Sequence, residues 1–261
     1  MSNSTHAKNK TILITGGASG IGLGIAQQLG ASGHKIIVAD MNMDAAEHAA
    51  AELGAQGISA RALLLDVTNP QQVSSLPNTL LPDTVDVLIN NAGIQHVSKL
   101  EDFPADKWQQ LINIMLVAPA MLTQALLPSM REKNYGRIIN IGSVHSVIAS
   151  PFKSAYVAAK HGLLGFSKTI ALETGDCDVT INTLCPAYVK TPLVEKQIAA
   201  QAKEHGMSEE DVINKIMLEP MPKKSFIDID ELASSAAFLM DNSARNITGQ
   251  TIVIDGGWTA R

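Results

Sequence analysis

Cysteine is nearly missing from this chain: among 261 residues only Cys177 and Cys185 are present. Eight positions apart, they match neither a zinc ligand pair nor a disulfide framework, so no metal site is expected and both read as inert core thiols in a reducing compartment. A basic excess is missing as well. The 20 Lys and Arg face 25 Asp and Glu, the net charge is −5, and no basic run is longer than Lys223-Lys224, which argues against a nucleic-acid partner. No uninterrupted apolar stretch approaches membrane-spanning length, and the polar segment 1–10 lacks the apolar centre of a secretory signal. A soluble, cytoplasmic protein without a membrane partner is the expectation. Linkers rich in Ser, Gly or Pro, low-complexity tracts and internal periods are missing too, so 1–261 reads as one domain.

Apolar side chains are what the chain has in quantity. They make up 46% of it against 17% charged, a balance that excludes intrinsic disorder. They gather in short runs at 11–15, 35–39, 62–65, 85–89, 137–141, 179–184 and 251–254. These runs are near-continuous rather than alternating, as strands buried on both faces of a parallel sheet require. Between them lie helix-compatible stretches at 21–32, 43–53, 107–130, 154–173 and 230–240. The alternation predicts an α/β fold, a doubly wound sheet of seven parallel strands. One segment, about 188–226, is too long for a simple connection between the last two strands. It carries Pro192, Pro220 and Pro222, follows a strand's C-terminal end, and so reads as a helical substrate lid over the ligand crevice. An extra structural helix pair is the plainer alternative.

Straight after the first strand comes TGGASGIG, residues 15–22, opening into the helix near Ile21. Glycine removes side chains where backbone must approach a pyrophosphate, and a helix N-terminus offers it N–H groups and a favourable dipole. The spacing of Gly16, Gly20 and Gly22 differs from G-x-G-x-x-G, yet strand before and helix after are the right context for a dinucleotide. Asp40 closes the second strand 18 positions after Gly22, where a carboxylate accepts hydrogen bonds from the adenosine ribose. The same charge repels a 2′-phosphate. No Lys or Arg follows in 41–44, and Ser19 holds the turn position where a basic side chain would have helped bind that phosphate, so NAD is expected rather than NADP.

Tyr156 and Lys160 stand i, i+4 in a helix-compatible stretch, sharing a face on which the ammonium can lower the pKa of the phenol. A phenol of pKa about 10 is a poor base near neutral pH, whereas a phenolate can take a hydroxyl proton. The pair alone is weak. Ser143, 13 residues earlier and just past the fifth strand, adds a hydroxyl facing the same crevice. With TGGASGIG, NNAG at 90–93, Ser143 and YVAAK at 156–160 in that order, the sequence resembles the short-chain dehydrogenase/reductase family over essentially its whole length. The resemblance implies a Rossmann-type fold and hydride transfer to or from a nicotinamide. Tyr156 would exchange the proton, Ser143 hold the substrate oxygen, Lys160 bind the nicotinamide ribose and tune Tyr156, and Asn113 help hold a water linking Lys160 to solvent. It implies further that Gly16, Ser19, Gly20, Ile21, Gly22, Asp40, Asp66, Val67, Asn91, Ala92, Gly93, Pro186, Val189 and Thr191 contact the cofactor along with Tyr156 and Lys160. Asp66 would lie at the adenine, and the assembly would be a homotetramer.

Four polar residues flank these positions: Gln95 is two past Gly93, His145 two past Ser143, Lys153 three before Tyr156, and Gln197 opens the lid segment. Singly they read as loop amides, a satisfied pocket histidine and a solvated charge. Together they can converge on one carboxylate, Lys153 supplying charge and the others directional donors. The stretches GIQH, GSVHS, PFKSAYVAAKHG, TPLVEKQI and DGGWTA resemble family members that act on 3-hydroxybutyrate. That implies a small-molecule substrate: NAD-dependent oxidation of (R)-3-hydroxybutyrate to acetoacetate and the reverse reduction, with Gln95, Ser143, His145, Lys153, Tyr156, Tyr188, Gln197 and Trp258 around the acid. Ala187 stands where those relatives usually have Gly and Tyr188 where they usually have Trp, which leaves the chain-length preference open. A 3-oxoacyl-thioester reductase of the same family and a catalytically silent, dinucleotide-sensing protein on the same fold are the competing readings.

Overall fold

Each apolar run becomes a strand, and helices make the crossings between them. The computed structural model describes residues 9–260; most of the polar segment read for a missing signal, residues 1–8, lies outside them. The strands are β1 Thr11–Thr15, β2 Lys35–Asp40, β3 Ala60–Leu64, β4 Val87–Asn90, β5 Gly136–Ile141, β6 Val179–Pro186 and β7 Thr251–Ile254. The helices are α1 Gly20–Ala31, α2 Met43–Ala55, α3 Pro70–Leu80, α4 Ala105–Ile112, α5 Ala118–Glu132, α6 Ser154–Glu173, α7 Pro192–His205, α8 Glu209–Val212 and α9 Ile229–Met240. All pairings between strands are parallel, in the order β3-β2-β1-β4-β5-β6-β7. The result is a Rossmann-like, seven-stranded α/β fold in one domain.

Side-chain alternation explains why the strands lack a polar face. Ile12, Ile14, Ile36, Val38 and Ile89 pack with Ile25 of α1 and Leu232 of α9, while Leu13, Ile37, Leu88 and Ile138 pack on the other side with Val73 of α3 and Leu122 of α5. The chain runs outward from β1 to β3, then returns to β4 on the far side of β1 and continues to β7. That reversal splays the connections apart beyond the C-terminal ends of β1 and β4, where doubly wound sheets hold ligands.

Two stretches add detail to the sequence reading. The helix read at 107–130 is a continuous helical run, Ala105–Glu132, in which a π-helical turn at Asn113–Val117 joins α4 to α5. By length and composition this run is long and apolar enough to cross a membrane, although Asn113, Thr123 and Gln124 interrupt it, so no uninterrupted apolar stretch reaches that length. Its residues Leu122, Leu126 and Met130 are buried against the sheet, and Leu111 and Met115 against Ala155 and Ala159 of α6, as in a core helix of an α/β protein. Between β6 and β7 the long segment is helical. Val194, Ile198 and Ala202 of α7 close a small core with Val212 and Met217, and a bridge from Val189 to Ile227 ties its base to the body.

Candidate active site

A cavity of about 840 Å³ opens over the C-terminal ends of β1, β4, β5 and β6. Every residue singled out from the sequence lines it except Gly22. Gly22 lies beneath, where a Cβ would drive into the Gly16 carbonyl oxygen and the Asn91 side chain, so its part is to let the turn close. Gly16 has φ +59° and faces the Ala92 backbone, a conformation and a space that suit glycine alone. Asn91 locks the two loops together by donating through Nδ2 to the carbonyls of Thr15 at 2.9 Å and Gly16 at 3.0 Å, while the amides of Asn91 and Ala92 donate to Thr15 Oγ1.

The dinucleotide half of the cavity has the shape and donors such a ligand needs. Ser19 caps α1 without a side-chain hydrogen bond, so the first amides of that helix are left to a ligand. Asp40 accepts at Oδ1 from Asn42 N, 3.1 Å, and at Oδ2 only a long bond of 3.4 Å from Ala18 N, keeping carboxylate capacity for hydroxyl donors. Asp66 is held by Thr68, whose N and Oγ1 both donate to Oδ1.

At the other end sit Ser143, Tyr156 and Lys160. The Tyr156 hydroxyl is hydrogen-bonded to the side chain of Ser143, which also accepts from His145 N at 3.1 Å. Lys160 is buried, lies 5.7 Å from the Tyr156 ring centroid, and donates from Nζ to the Ile141 carbonyl at 2.6 Å. The expected depression of the phenol's pKa is overturned in the folded chain: burial pushes Tyr156 up, with the Ser143 hydrogen bond opposing it. Lys160 is itself pushed down to about 8 by burial.

Asn113 begins the π-helical turn, and Gln109, one helical turn earlier, donates from Nε2 to its Oδ1 at 2.8 Å. Gln109 lines the cavity and was not singled out from the sequence, although its i, i+4 spacing to Asn113 is a readable signal. Ile94, Asp106 and the exposed Lys196 line it too, without a sequence signal to mark them.

The four flanking polar residues converge on the same space. His145 is buried edge-on to Tyr156 and Trp258, with ring centroids 6.1 Å and 6.0 Å apart, and Tyr188 stacks on Trp258 at 5.9 Å. Lys153 Nζ lies 6.0 Å from the Tyr188 ring centroid. Gln95 accepts at Oε1 from His96 N, 3.0 Å, which leaves its amide N–H groups as the free donors. Among the described residues no carboxylate forms an ion pair with Lys153 or Lys160. Two cations withdrawn from water without a counter-charge make the cavity a place for an anion.

His145 gives the site a pH signature. Burial first, then the charges of Lys153 and His161, hold its pKa down at about 4. An unfolded imidazole titrates at about 6.5, so between those values the unfolded chain binds a proton the native state refuses. Stability should therefore fall as pH drops from about 6.5 to about 4, by roughly 3 kcal/mol from this residue. Urea unfolding across that window should show a shallower fall for His145→Asn than for the wild type; equal slopes would show that the imidazole ionises freely.

The family model for short chain dehydrogenases matches residues 10–202. The D-beta-hydroxybutyrate dehydrogenase of Rhizobium meliloti (strain 1021) is 44% identical over 259 residues, covering 97% of this chain and 99% of that protein. The protein of the same name from Cupriavidus necator is 44% identical, covering 97% and 98%. A 3-oxoacyl-acyl-carrier-protein reductase from Salmonella typhimurium is 32% identical, with 96% and 97% covered.

Proposed function

The chain belongs to the short chain dehydrogenase family of oxidoreductases, and from that premise we propose that it interconverts (R)-3-hydroxybutyrate and acetoacetate with NAD. The observation that carries the substrate is Lys153: a half-buried ammonium that no carboxylate pairs with among the described residues, in the cavity that holds Ser143 and Tyr156. With Gln95, His145 and Gln197 it forms a donor set for the acid's carboxylate. A 3-oxoacyl thioester has no charge at that position to reward the cation. The relatives named for D-beta-hydroxybutyrate support the same choice.

The glycine turn, the open amides of α1 and the carboxylate of Asp40 fit a dinucleotide, held by Gly16, Ser19, Gly20 and Ile21 at the phosphates and by Asp40 at the ribose. When bound, its nicotinamide supplies the two-electron acceptor and donor of the reaction. Ser143 holds the substrate oxygen. In the reduction Tyr156, kept protonated by burial, donates its hydroxyl proton to that oxygen; in the oxidation it takes the proton back. Lys160 supplies the positive charge that stabilises the phenolate of the second case, and Asn113, which lines the same cavity, would help hold a water linking Lys160 to solvent. The helices of 188–226, with their own core and Gln197 facing the cavity, are the lid that excludes water over the acid.

Rates with NAD and NADP against the two enantiomers of 3-hydroxybutyrate test this: activity is expected with NAD and the (R) form. Equal rates with both enantiomers, or none with either, would overturn it. For the cofactor, Asp40→Ser should narrow the preference for NAD over NADP by at least about tenfold, since one full repulsion to the 2′-phosphate is removed. A wild type that uses both equally defeats the argument. The exposed Leu172, Phe238 and Met121 support a homotetramer, and light scattering should return four times the 27.7 kDa chain mass.

A further inference from the structure

Loop residue Ser150 was absorbed by neither the cofactor half nor the catalytic group. Its Oγ lies 2.6 Å from His145 Nε2, and this is the one hydrogen bond its hydroxyl makes among the described residues. On the opposite side of the ring, His145 Nδ1 faces Ser143 Oγ at 3.5 Å. The ring is enclosed by Tyr156 and Trp258 at its edges, and Lys153 and His161 are the basic groups toward it. It is therefore a neutral imidazole with a single N–H to place, and which nitrogen carries it decides what the ring can do.

We propose that Ser150 is a positioning residue: its hydroxyl donates to His145 Nε2 and so puts the ring proton on Nδ1. This rests on the carboxylate site described above. With the proton on Nδ1, His145 points a donor at the cavity, toward Ser143 Oγ or an incoming carboxylate, and the Ser143 proton stays free for the Tyr156 side. With the proton on Nε2, Nδ1 presents a lone pair that competes for the Ser143 proton and repels an anion. A serine hydroxyl can donate to a bare Nε2 or accept from Nε2–H; donation is the arrangement that leaves Ser143 Oγ, which already accepts from His145 N, without a competing lone pair at Nδ1. Tautomers set in this way by the partner of the second nitrogen are a general property of histidine sites.

Nitrogen NMR on histidine-labelled full-length protein reads the proton's position directly, with the His145 signals identified by their loss in His145→Asn. The expected wild-type pattern is a protonated Nδ1 and an unprotonated Nε2. Ser150→Ala should lose that pattern to the other tautomer or a mixture, and Ser150→Thr, which keeps the hydroxyl, should restore it. In kinetics Ser150→Ala should raise KM for (R)-3-hydroxybutyrate about tenfold with kcat within about threefold, the loss of one well-placed donor to an anion, and Ser150→Thr should recover most of the change. A protonated Nε2 in the wild type, an unaltered tautomer in Ser150→Ala, or a fall in kcat at constant KM would overturn the proposal. The NMR result needs no substrate, so a wild type with the expected tautomer but no activity toward 3-hydroxybutyrate would fault the substrate reading and leave Ser150 in place.

Discussion

Tyr156→Phe should lower kcat by about 10³-fold, the largest effect expected of any single substitution here, because it deletes the hydroxyl proposed to move the substrate proton. The change is close to isosteric. The ring keeps its edge contact with His145 and its place among Ala155, Ala159 and Met115, so neither the fold nor the dinucleotide half of the cavity has reason to alter. What is lost is the hydroxyl bonded to Ser143. NAD titration should give a Kd within about twofold of wild type, while single-turnover rates collapse, which separates a missing proton-transfer group from a damaged site. A variant retaining a tenth of wild-type kcat would mean that water or another side chain carries the proton, and the role given to Tyr156 would pass to it.

Much of this architecture is legible in the sequence, and the exceptions have physical causes. β1 at Thr11–Thr15, β7 at Thr251–Ile254 and α6 at Ser154–Glu173 fall where the apolar pattern puts them. β3, by contrast, starts two residues before the run read at 62–65, because it is an edge strand with partly exposed positions and no continuous apolar signal. α3 was not read at all: Pro70 and Pro77 and a polar surface hide the three buried residues Val73, Leu76 and Leu80, and the clue was Asn69, whose Oδ1 accepts from the amides of Gln71 and Gln72. The π-helical turn at Asn113 leaves no periodic trace over so few residues. In the site, the shared helix face of Tyr156 and Lys160 and the strand end before Ser143 are local properties legible from spacing, while their catalytic roles came from the resemblance to the family. The sign of the Tyr156 shift was not legible, because desolvation depends on everything packed around the ring. The place of Ser150 was hidden for a similar reason, its partner being set by the path of an irregular loop.

Lys153→Ala tests recognition where Tyr156→Phe tests chemistry. Lys153 sits at the N-cap of α6, directly after Phe152, whose backbone has φ +65° in a region that non-glycine residues rarely adopt. The Phe152 carbonyl accepts from Ser98 N at 2.9 Å, so the loop carrying Lys153 is pinned to the loop carrying Gln95. The ammonium is thereby held over the cavity, and burial lowers its pKa. Bringing a carboxylate to it removes the cost of an unpaired cation and adds a charge-assisted hydrogen bond, together worth about 2–3 kcal/mol. KM for (R)-3-hydroxybutyrate should accordingly rise by about 30- to 100-fold in the variant, with kcat changed far less, because the ionic contact is made equally in the ground state and the transition state. Selectivity is the sharper readout. The wild type should prefer the acid over its methyl ester, and Lys153→Ala should bring the two close to parity, since the ester loses nothing when the charge goes. Lys153→Met, which keeps the length of the stem, should behave like the alanine variant if charge is what matters. An unchanged KM in both variants would make Lys153 a solvated charge at a helix start, and the carboxylate would then have to be held by Gln95, His145 and Gln197 alone.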